Sequence, residues 1–348
     1  METILLTGGL GYIGSLTCLE LLSLKYKVII FDSLINSSIE SLRRIKTLGS
    51  YSKDYCPNNL IFIKGDIRNY NDLNKTFKDA RDNENKINAV VHMAGLKSVF
   101  DSQKNPDLYK DVNLYGTEIL LKVMEENQCY SIIFSSSATV YGENDQEILT
   151  EKHKCRPNNN YGQTKLEVEK ILEQKYHHSN KKWKIINLRY FNPIGAHPSG
   201  MLGEQNLNSS HNLFPLLCKA ASNNKIFKIF GNDWNTPDRT AIRDFVHVMD
   251  IAEGHSCALE YIKKNESLNL SINLGSGQGT SILEFINVFQ QTLNIKLDYK
   301  FIERREGDVS RYVASNQLAK ELLKWEPIYS LKEMCLDGWK WYISNKNI

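Results

Sequence analysis

No Cys-x-x-Cys pair occurs among the seven cysteines, Cys18, Cys56, Cys129, Cys155, Cys218, Cys257 and Cys335. That spacing gives no zinc ribbon, and an odd count argues against a disulfide framework, so a reducing compartment is expected. No apolar run approaches the ~18 residues that a bilayer-crossing helix requires. The N-terminus enters a strand pattern almost at once, so no signal peptide, no membrane association and a cytoplasmic location are expected. Lysine and arginine nowhere form a block, and with a net charge of +3 the acids and bases are interspersed. A nucleic-acid footprint is excluded on that pattern, which leaves a small molecule as the expected partner. His92 has no neighbour at metal-ligand spacing and reads as a core histidine, so no metal is expected.

What the chain does have is a glycine loop close to its start. Gly8, Gly11 and Gly14 lie three apart in Thr7-Gly-Gly-Leu-Gly-Tyr-Ile-Gly14, between an apolar run (Ile4 to Leu6) and an amphipathic stretch carrying Leu16, Leu19 and Leu22. This is the order strand, phosphate loop, helix. The glycines allow a tight turn, close approach of a pyrophosphate and close packing of helix on strand. The helix start offers unpaired N–H groups and a positive dipole end to the anion. A second apolar run, Val28 to Phe31, ends in Asp32, where a carboxylate would accept the ribose 2′-OH and repel a 2′-phosphate. The expected cofactor is therefore NAD. A second glycine cluster, Gly275-x-Gly277-x-Gly279, lacks such a closing acid and reads as a plain helix entry with Ser281 as N-cap.

Further strands are expected at Leu60–Ile63, Ala89–His92 and Ser131–Phe134. They alternate with helical patterns, one of which runs from Pro106 to Asn127. That alternation predicts a doubly wound parallel α/β sheet of the Rossmann type. At 348 residues the chain should carry a second, smaller mixed α/β region as well. The expected division is 1–187 for the dinucleotide and mainly 188–348 for the substrate, with some return segments to the first part.

The fifth strand ends in Ser135-Ser-Ser-Ala-Thr-Val-Tyr-Gly142, which delivers hydroxyls to the sheet edge where open α/β folds bind ligands. Tyr161-x-x-x-Lys165 then opens a helix with both side chains on one face. Among 17 tyrosines the only other match is Tyr342-x-x-x-Lys346 in the polar tail, with no such strand before it. A phenol with a pKa of about 10 is a poor base at neutral pH, and a neighbouring ammonium together with a cationic nicotinamide would favour its phenolate. Tyr161 could then exchange a proton with a substrate hydroxyl while hydrogen moves at the adjacent carbon.

In this order of motifs the chain resembles the extended short-chain dehydrogenase/reductase family, and within it the UDP-glucose 4-epimerase branch. The resemblance covers nearly the whole chain. Its further segments are Gly65-Asp-Ile-Arg68, Ala94-Gly-Leu-Lys97, Leu188-Arg-Tyr-Phe-Asn-Pro-Ile-Gly-Ala-His-Pro-Ser-Gly200, Ile229-Phe-Gly-Asn232, Arg243-Asp-Phe-Val-His-Val-Met-Asp250 and Arg304-Arg-Glu-Gly-Asp308. It implies reversible inversion of UDP-glucose and UDP-galactose at C4 through a 4-keto sugar, with NAD kept throughout. Tyr161 and Lys165 would be catalytic, with Ser137 and Thr139 on the reacting hydroxyl. Gly8, Gly11, Tyr12, Ile13, Gly14, Asp32, Asn36, Asp66, Ile67, Ala94, Gly95, Lys97 and Asn113 would serve the cofactor, and Lys165 its nicotinamide ribose. Tyr190 and Phe191 would lie near the nicotinamide or sugar. Asn192, Asn212, Phe230, Arg243, Arg305, Asp308 and Tyr312 would serve the UDP-sugar, the two arginines on its diphosphate. The resemblance also implies a homodimer built on helices at about Pro106–Asn127 and Tyr161–Tyr176.

Ser33, Met93 and Arg239 depart from the commonest family pattern without removing a catalytic group. A bulky residue at Tyr312 is associated in this family with exclusion of N-acetylated sugars; alternatively Tyr312 simply packs an interface. Three rival readings differ in kind. A nucleotide-sugar dehydratase should carry Asp-Glu after Thr139, where this chain has Val140-Tyr141. A UDP-glucuronate 4-epimerase or decarboxylase is a nearer alternative, and a non-catalytic NAD-binding scaffold would be expected to lack Tyr161 or Lys165.

Overall fold

The computed structural model describes residues 1–52, 56–144, 146–205, 212–305 and 307–345. Lys346 of the tail Tyr-x-x-x-Lys match and Glu306 of the Arg304–Asp308 segment lie outside them. The first half alternates as the apolar runs predict: β1 (Thr3–Thr7), α1 (Tyr12–Ser23), β2 (Lys27–Asp32), α2 (Ile39–Gly49), β3 (Leu60–Lys64), α3 (Tyr70–Asp82) and β4 (Ile87–His92). There follow α4 (Val99–Lys104), α5 (Pro106–Tyr109), α6 (Gly116–Glu126), β5 (Ser131–Ser137), α7 (Asn160–His178) and β6 (Lys184–Tyr190). The second half contains β7 (Asn192–Ile194), α8 (Leu213–Ser222), β8 (Phe227–Phe230), β9 (Ile242–His247), α9 (Val248–Lys263) and β10 (Leu268–Leu274). It ends with β11 (Gly279–Ser281), α10 (Ile282–Leu293), β12 (Tyr299–Ile302), β13 (Arg311–Tyr312) and α11 (Leu331–Ser344).

Seven strands form one parallel sheet in the order β10-β6-β5-β4-β1-β2-β3. Both faces are covered, which is why its strands read as continuous apolar runs rather than alternating ones. Successive side chains go to opposite layers: Ile4, Leu6, Val28 and Ile30 pack into one core, Leu5, Ile29 and Phe31 into the other. A third core, rich in phenylalanine (Phe214, Phe245, Phe285, Phe289), fills the second lobe. Residue 187 lies in mid-strand within β6, and β10 returns from the second half to pair with β6 along its whole length. Strand order reverses between β1 and β4, so the carboxyl ends of these two strands open a crevice between them.

The expected single helix from Pro106 to Asn127 is corrected in one respect. Its middle, Lys110–Tyr115, winds as a wider π turn between α5 and α6. The wide turn coincides with Asn113, which is buried and bonded to the neighbouring loop as described below. Ser281 caps α10 as expected, in a reciprocal capping box with Glu284. The glycine cluster before it wraps a carboxylate from within the chain. Asp244 accepts from Ser276 N at 2.6 Å, Gly277 N at 3.0 Å and Ala314 N at 3.0 Å, fastening β9 to the segment that follows β13.

Candidate active site

A cleft of about 340 Å³ runs from the glycine loop to the end of β5 and on to the second lobe. Gly8 has φ +69°, and a Cβ there would fall 2.7 Å from Ala94 N; at Gly14 it would fall 2.3 Å from Gly8 O. Both positions therefore admit only glycine without a shift of backbone. Gly11 is the N-cap of α1 and no side chain caps the first turn, whose residues Tyr12, Ile13 and Gly14 line the cleft. Asp32 is 5% exposed. Its Oδ1 accepts from Leu34 N at 2.9 Å and Ser37 Oγ at 2.7 Å, and its Oδ2 accepts from Leu10 N at 2.9 Å. A carboxylate offers about four acceptor sites, so one remains on Oδ2 for a ligand hydroxyl. An uncapped helix start with a buried carboxylate beside it fits a dinucleotide without a 2′-phosphate.

Tyr12, Ile13, Asn36, Asp66, Ile67, Ala94, Gly95 and Lys97 all line this cleft. Asp66 is turned toward Arg68, accepting from its Nη2 at 2.6 Å and from its backbone N at 2.9 Å. Those bonds hold its carboxyl below the usual range, burial opposing. It is thus both turn residue and cleft residue. Asn113 lies under the loop that follows β4. It is buried, its Oδ1 accepts from Leu96 N at 2.7 Å, and its Nδ2 donates to Leu96 O at 3.0 Å and Thr164 Oγ1 at 3.3 Å. With its amide engaged on Leu96 and Thr164, Asn113 holds the Ala94–Lys97 loop from beneath.

The chemistry-bearing groups meet where β5 ends and α7 begins. Asn159 caps α7 by accepting from Gly162 N at 2.8 Å, and Tyr161 N donates to Ser102 Oγ at 3.1 Å, which fixes the first turn. Ser137 stands close enough to Tyr161 for its hydroxyl to lower the phenol's pKa, against the rise from burial. Its Oγ accepts from Thr139 Oγ1 at 3.0 Å and from Thr139 N at 3.2 Å. Thr139 thus stands behind Ser137, outside the cleft lining, where it directs the serine hydroxyl. Lys165 is 5% exposed, donates to Ser135 O at 2.8 Å, and its Nζ lies 5.7 Å from the centre of the Tyr161 ring.

The expected depression of the Tyr161 pKa is not what the protein alone produces. Burial pushes the phenol up to about 12, with the Ser137 hydroxyl opposing. Burial also brings Lys165 down to about 8, with Glu169 opposing. The ammonium is spent on a backbone carbonyl, and loss of water is the largest influence on each group. His92 is the satisfied core residue the sequence suggests, held between Thr7 Oγ1 at 2.7 Å and Thr117 Oγ1 at 2.8 Å, and burial brings it down to about 3.

Tyr190, Phe191, Asn192 and Asn212 line the far end of the cleft. Phe230, Arg243, Arg305, Asp308 and Tyr312 do not; they form an adjoining cluster. Arg243 Nη2 is 3.7 Å from Asp308 Oδ1, and its guanidinium stands 5.8 Å from the Tyr312 ring centre. Arg305 lies over Phe230 at 4.0 Å. Burial lowers both arginines, and Asp308 opposes that for each. Phe245, two residues after Arg243 and on the same face of β9, lines the cleft and pairs in register with Asn192 of β7. The cluster is therefore next to the cleft. Tyr312 donates to Gly142 O at 2.8 Å and packs with Phe191, Ala138 and Val140.

Sequence reasoning missed the buried support beneath Lys165. Arg189 donates to Glu169 through Nε at 3.0 Å and Nη2 at 2.6 Å, and through Nη1 to Tyr141 Oη at 3.1 Å; Tyr141 in turn donates to Asn273 Oδ1 at 2.6 Å. One signal was present: Glu169 follows Lys165 by four positions, as Lys165 follows Tyr161, so all three share a helix face. It also missed Ser135, which donates to Tyr190 Oη at 2.9 Å, and His255, bonded to the same phenol. Among the described residues no group of acids, histidines and cysteines is arranged to hold a metal, and no helix is long and apolar enough to cross a membrane.

Residues 5–337 match the family model described as GDP-mannose 4,6 dehydratase. The chain is 43% identical over 345 residues to UDP-glucose 4-epimerase 4 of Oryza sativa subsp. japonica, covering 99% of this chain and 91% of that one. It is 42% identical over 345 residues to UDP-glucose 4-epimerase of Bacillus subtilis, covering 99% and 98%. Its fold superimposes with a TM-score of 0.93 on UDP-glucose 4-epimerase from Stenotrophomonas maltophila with bound NAD and formylated UDP-arabinopyranose, at 36% identity and 99% coverage of both chains. With Tyr161, Lys165 and Ser137 converging on the cleft, and Val140-Tyr141 where the dehydratase pattern has Asp-Glu, the chain belongs to that nucleotide-sugar family of short-chain dehydrogenase/reductases and, within it, to the UDP-glucose 4-epimerases.

Proposed function

We propose that Tyr161, Ser137 and Lys165 carry the reversible NAD-dependent epimerisation of UDP-glucose and UDP-galactose at C4. The observation that supports these roles best is their meeting at the carboxyl ends of the sheet strands, in the same cleft as Asp32 and the glycine loop. When bound there, NAD supplies the acceptor and donor of the C4 hydrogen. Tyr161 removes the proton of the 4-hydroxyl and returns it to the opposite epimer, while Ser137, oriented by Thr139, holds that oxygen. Lys165, fixed on Ser135 O, presents positive charge beside the phenol and to the cofactor ribose.

Gly8, Gly11, Gly14, Asp32, Asp66 and Lys97 serve the dinucleotide. Arg243 and Arg305 engage the UDP diphosphate, Asp308 a uridine ribose hydroxyl, and Asn192 and Asn212 further polar groups of the nucleotide sugar. The division of labour follows the two lobes, residues 1–187 with the returning α9 and β10 for the cofactor, and most of 188–348 for the UDP-sugar. A second copy pairs along Pro106–Glu126 and α7, a reading supported by Leu108 and Tyr115 being 48% and 52% exposed on that segment. The protein acts in the cytoplasm, in galactose metabolism.

UDP-galactose deuterated at C4 tests the reaction. Label retained at C4 of the UDP-glucose formed is the expected result. Wash-out of label into water, or reaction of UDP-glucuronate in preference, would move the chain to a sister activity.

A further inference from the structure

Glu204 stands where the two ends of the cleft meet, and no motif in the sequence marks it. Its side chain is only 13% exposed and lines the cleft. The same oxygen, Oε1, accepts from Lys97 Nζ at 2.8 Å and from Asn212 Nδ2 at 2.8 Å. Its backbone carbonyl accepts from Trp341 Nε1 at 3.0 Å, which anchors the residue to α11. Lys97 comes from the loop after β4, on the dinucleotide side, and Asn212 from the start of α8 in the second lobe. One carboxylate thus ties together three parts of the chain.

Lys97 is 55% exposed, so the contact lies at the rim of the cleft. Its ammonium also stands 5.6 Å from the ring centre of Tyr12, whose hydroxyl donates to Gly195 O at 2.7 Å. A negative side chain in a cleft meant for two diphosphates opposes binding by repulsion, and on that ground alone it would be out of place. Its geometry gives it another use, because the contact spans from the Ala94–Lys97 loop to the start of α8 at the rim of the cleft that the glycine loop also lines.

We propose that Glu204 is a positioning residue that slows exchange of the dinucleotide, by holding Lys97 across the rim and tying it to Asn212 of the substrate lobe. The inference rests on the NAD site described above. Breaking a charge-assisted bond at such a contact acts mainly on the rate of release.

The test follows release of labelled NAD. Wild-type protein and the variants Glu204→Gln, Glu204→Asp, Lys97→Met and Glu204→Gln with Lys97→Met are loaded with isotopically labelled NAD and chased with unlabelled NAD. Label retained is then measured over time. Glu204→Gln is expected to release label roughly fivefold or more faster, the size of effect expected for losing one charge-assisted hydrogen bond. Glu204→Asp, which keeps the charge and shortens the reach, should fall between the two. In the Lys97→Met background the Glu204 change should add nothing. Release from Glu204→Gln at the wild-type rate or slower would overturn the proposal, slower release making Glu204 a competing anion. Equal acceleration with and without Lys97 would overturn it too. If wild-type protein carries no NAD as purified and takes up none when labelled NAD is supplied, the cofactor site itself is wrong and the inference falls with it.

Discussion

The ammonium of Lys165 donates to the carbonyl oxygen of Ser135 at 2.8 Å, joining the first turns of α7 to the end of β5. The bond orients a buried cation beside Tyr161 without the cation touching the phenol oxygen. Burial is the largest influence on both groups, bringing Lys165 down to about 8 and Tyr161 up to about 12.

A pH dependence follows for Lys165. Its folded pKa, about 8, lies below its ordinary value of 10.5. Between these the unfolded chain binds more protons than the folded one, so this group's contribution to stability rises with pH across that window. Denaturant midpoints of wild type and Lys165→Met measured from pH 7 to 10.5 should show the difference moving in favour of wild type as pH rises. Activity should move the other way, falling above about pH 8 as the ammonium is lost. Lys165→Arg, slower throughout, should lack that descending limb.

The neighbouring cations Arg243 and Arg305 are assigned to groups that do not change during reaction. Arg243→Met and Arg305→Met should each raise KM for UDP-galactose roughly tenfold or more while kcat changes little, the pattern of lost uniform binding. Steady-state kinetics on both variants checks this. A fall in kcat at unchanged KM would place the arginines in the chemical step.

Tyr312 closes the side of this cluster, held by its bond to Gly142 O and packed with Phe191. Wild-type protein should use UDP-glucose and UDP-galactose well and the N-acetylated pair poorly. Tyr312→Ser should raise kcat/KM for UDP-N-acetylglucosamine by about tenfold or more, a size typical of steric discrimination. Comparable rates of wild type on both pairs would refute the role and leave Tyr312 as packing only.

How much of this could be read from the chain alone depends on how local each feature is. The glycine loop, Asp32 and the strand runs are local, and burial of both sheet faces prints the strands as apolar runs such as Ile4–Leu6 and Val28–Phe31. Tyr161 and Lys165 are visible because helix geometry sets their spacing. Non-local features were hidden. The pairing of β10 with β6 joins residues more than 80 positions apart, and Glu169 meets Arg189 across a helix and a strand. The hydrogen bonds of Asn113 to Leu96 and of Thr139 to Ser137 depend on loop geometry that no sequence pattern shows. The rise of the Tyr161 pKa in the protein alone comes from burial, which no local pattern shows.

The account stands or falls on a redox cycle that restores itself with Tyr161 as its proton carrier. Purified protein is incubated with UDP-galactose, no NAD is added, and UDP-glucose is followed. Turnover is predicted for wild type, with Tyr161→Phe slowed by roughly 100-fold to 10,000-fold, the range for loss of a general acid–base group, while still retaining its NAD. Turnover in Tyr161→Phe close to that of wild type would contradict the account.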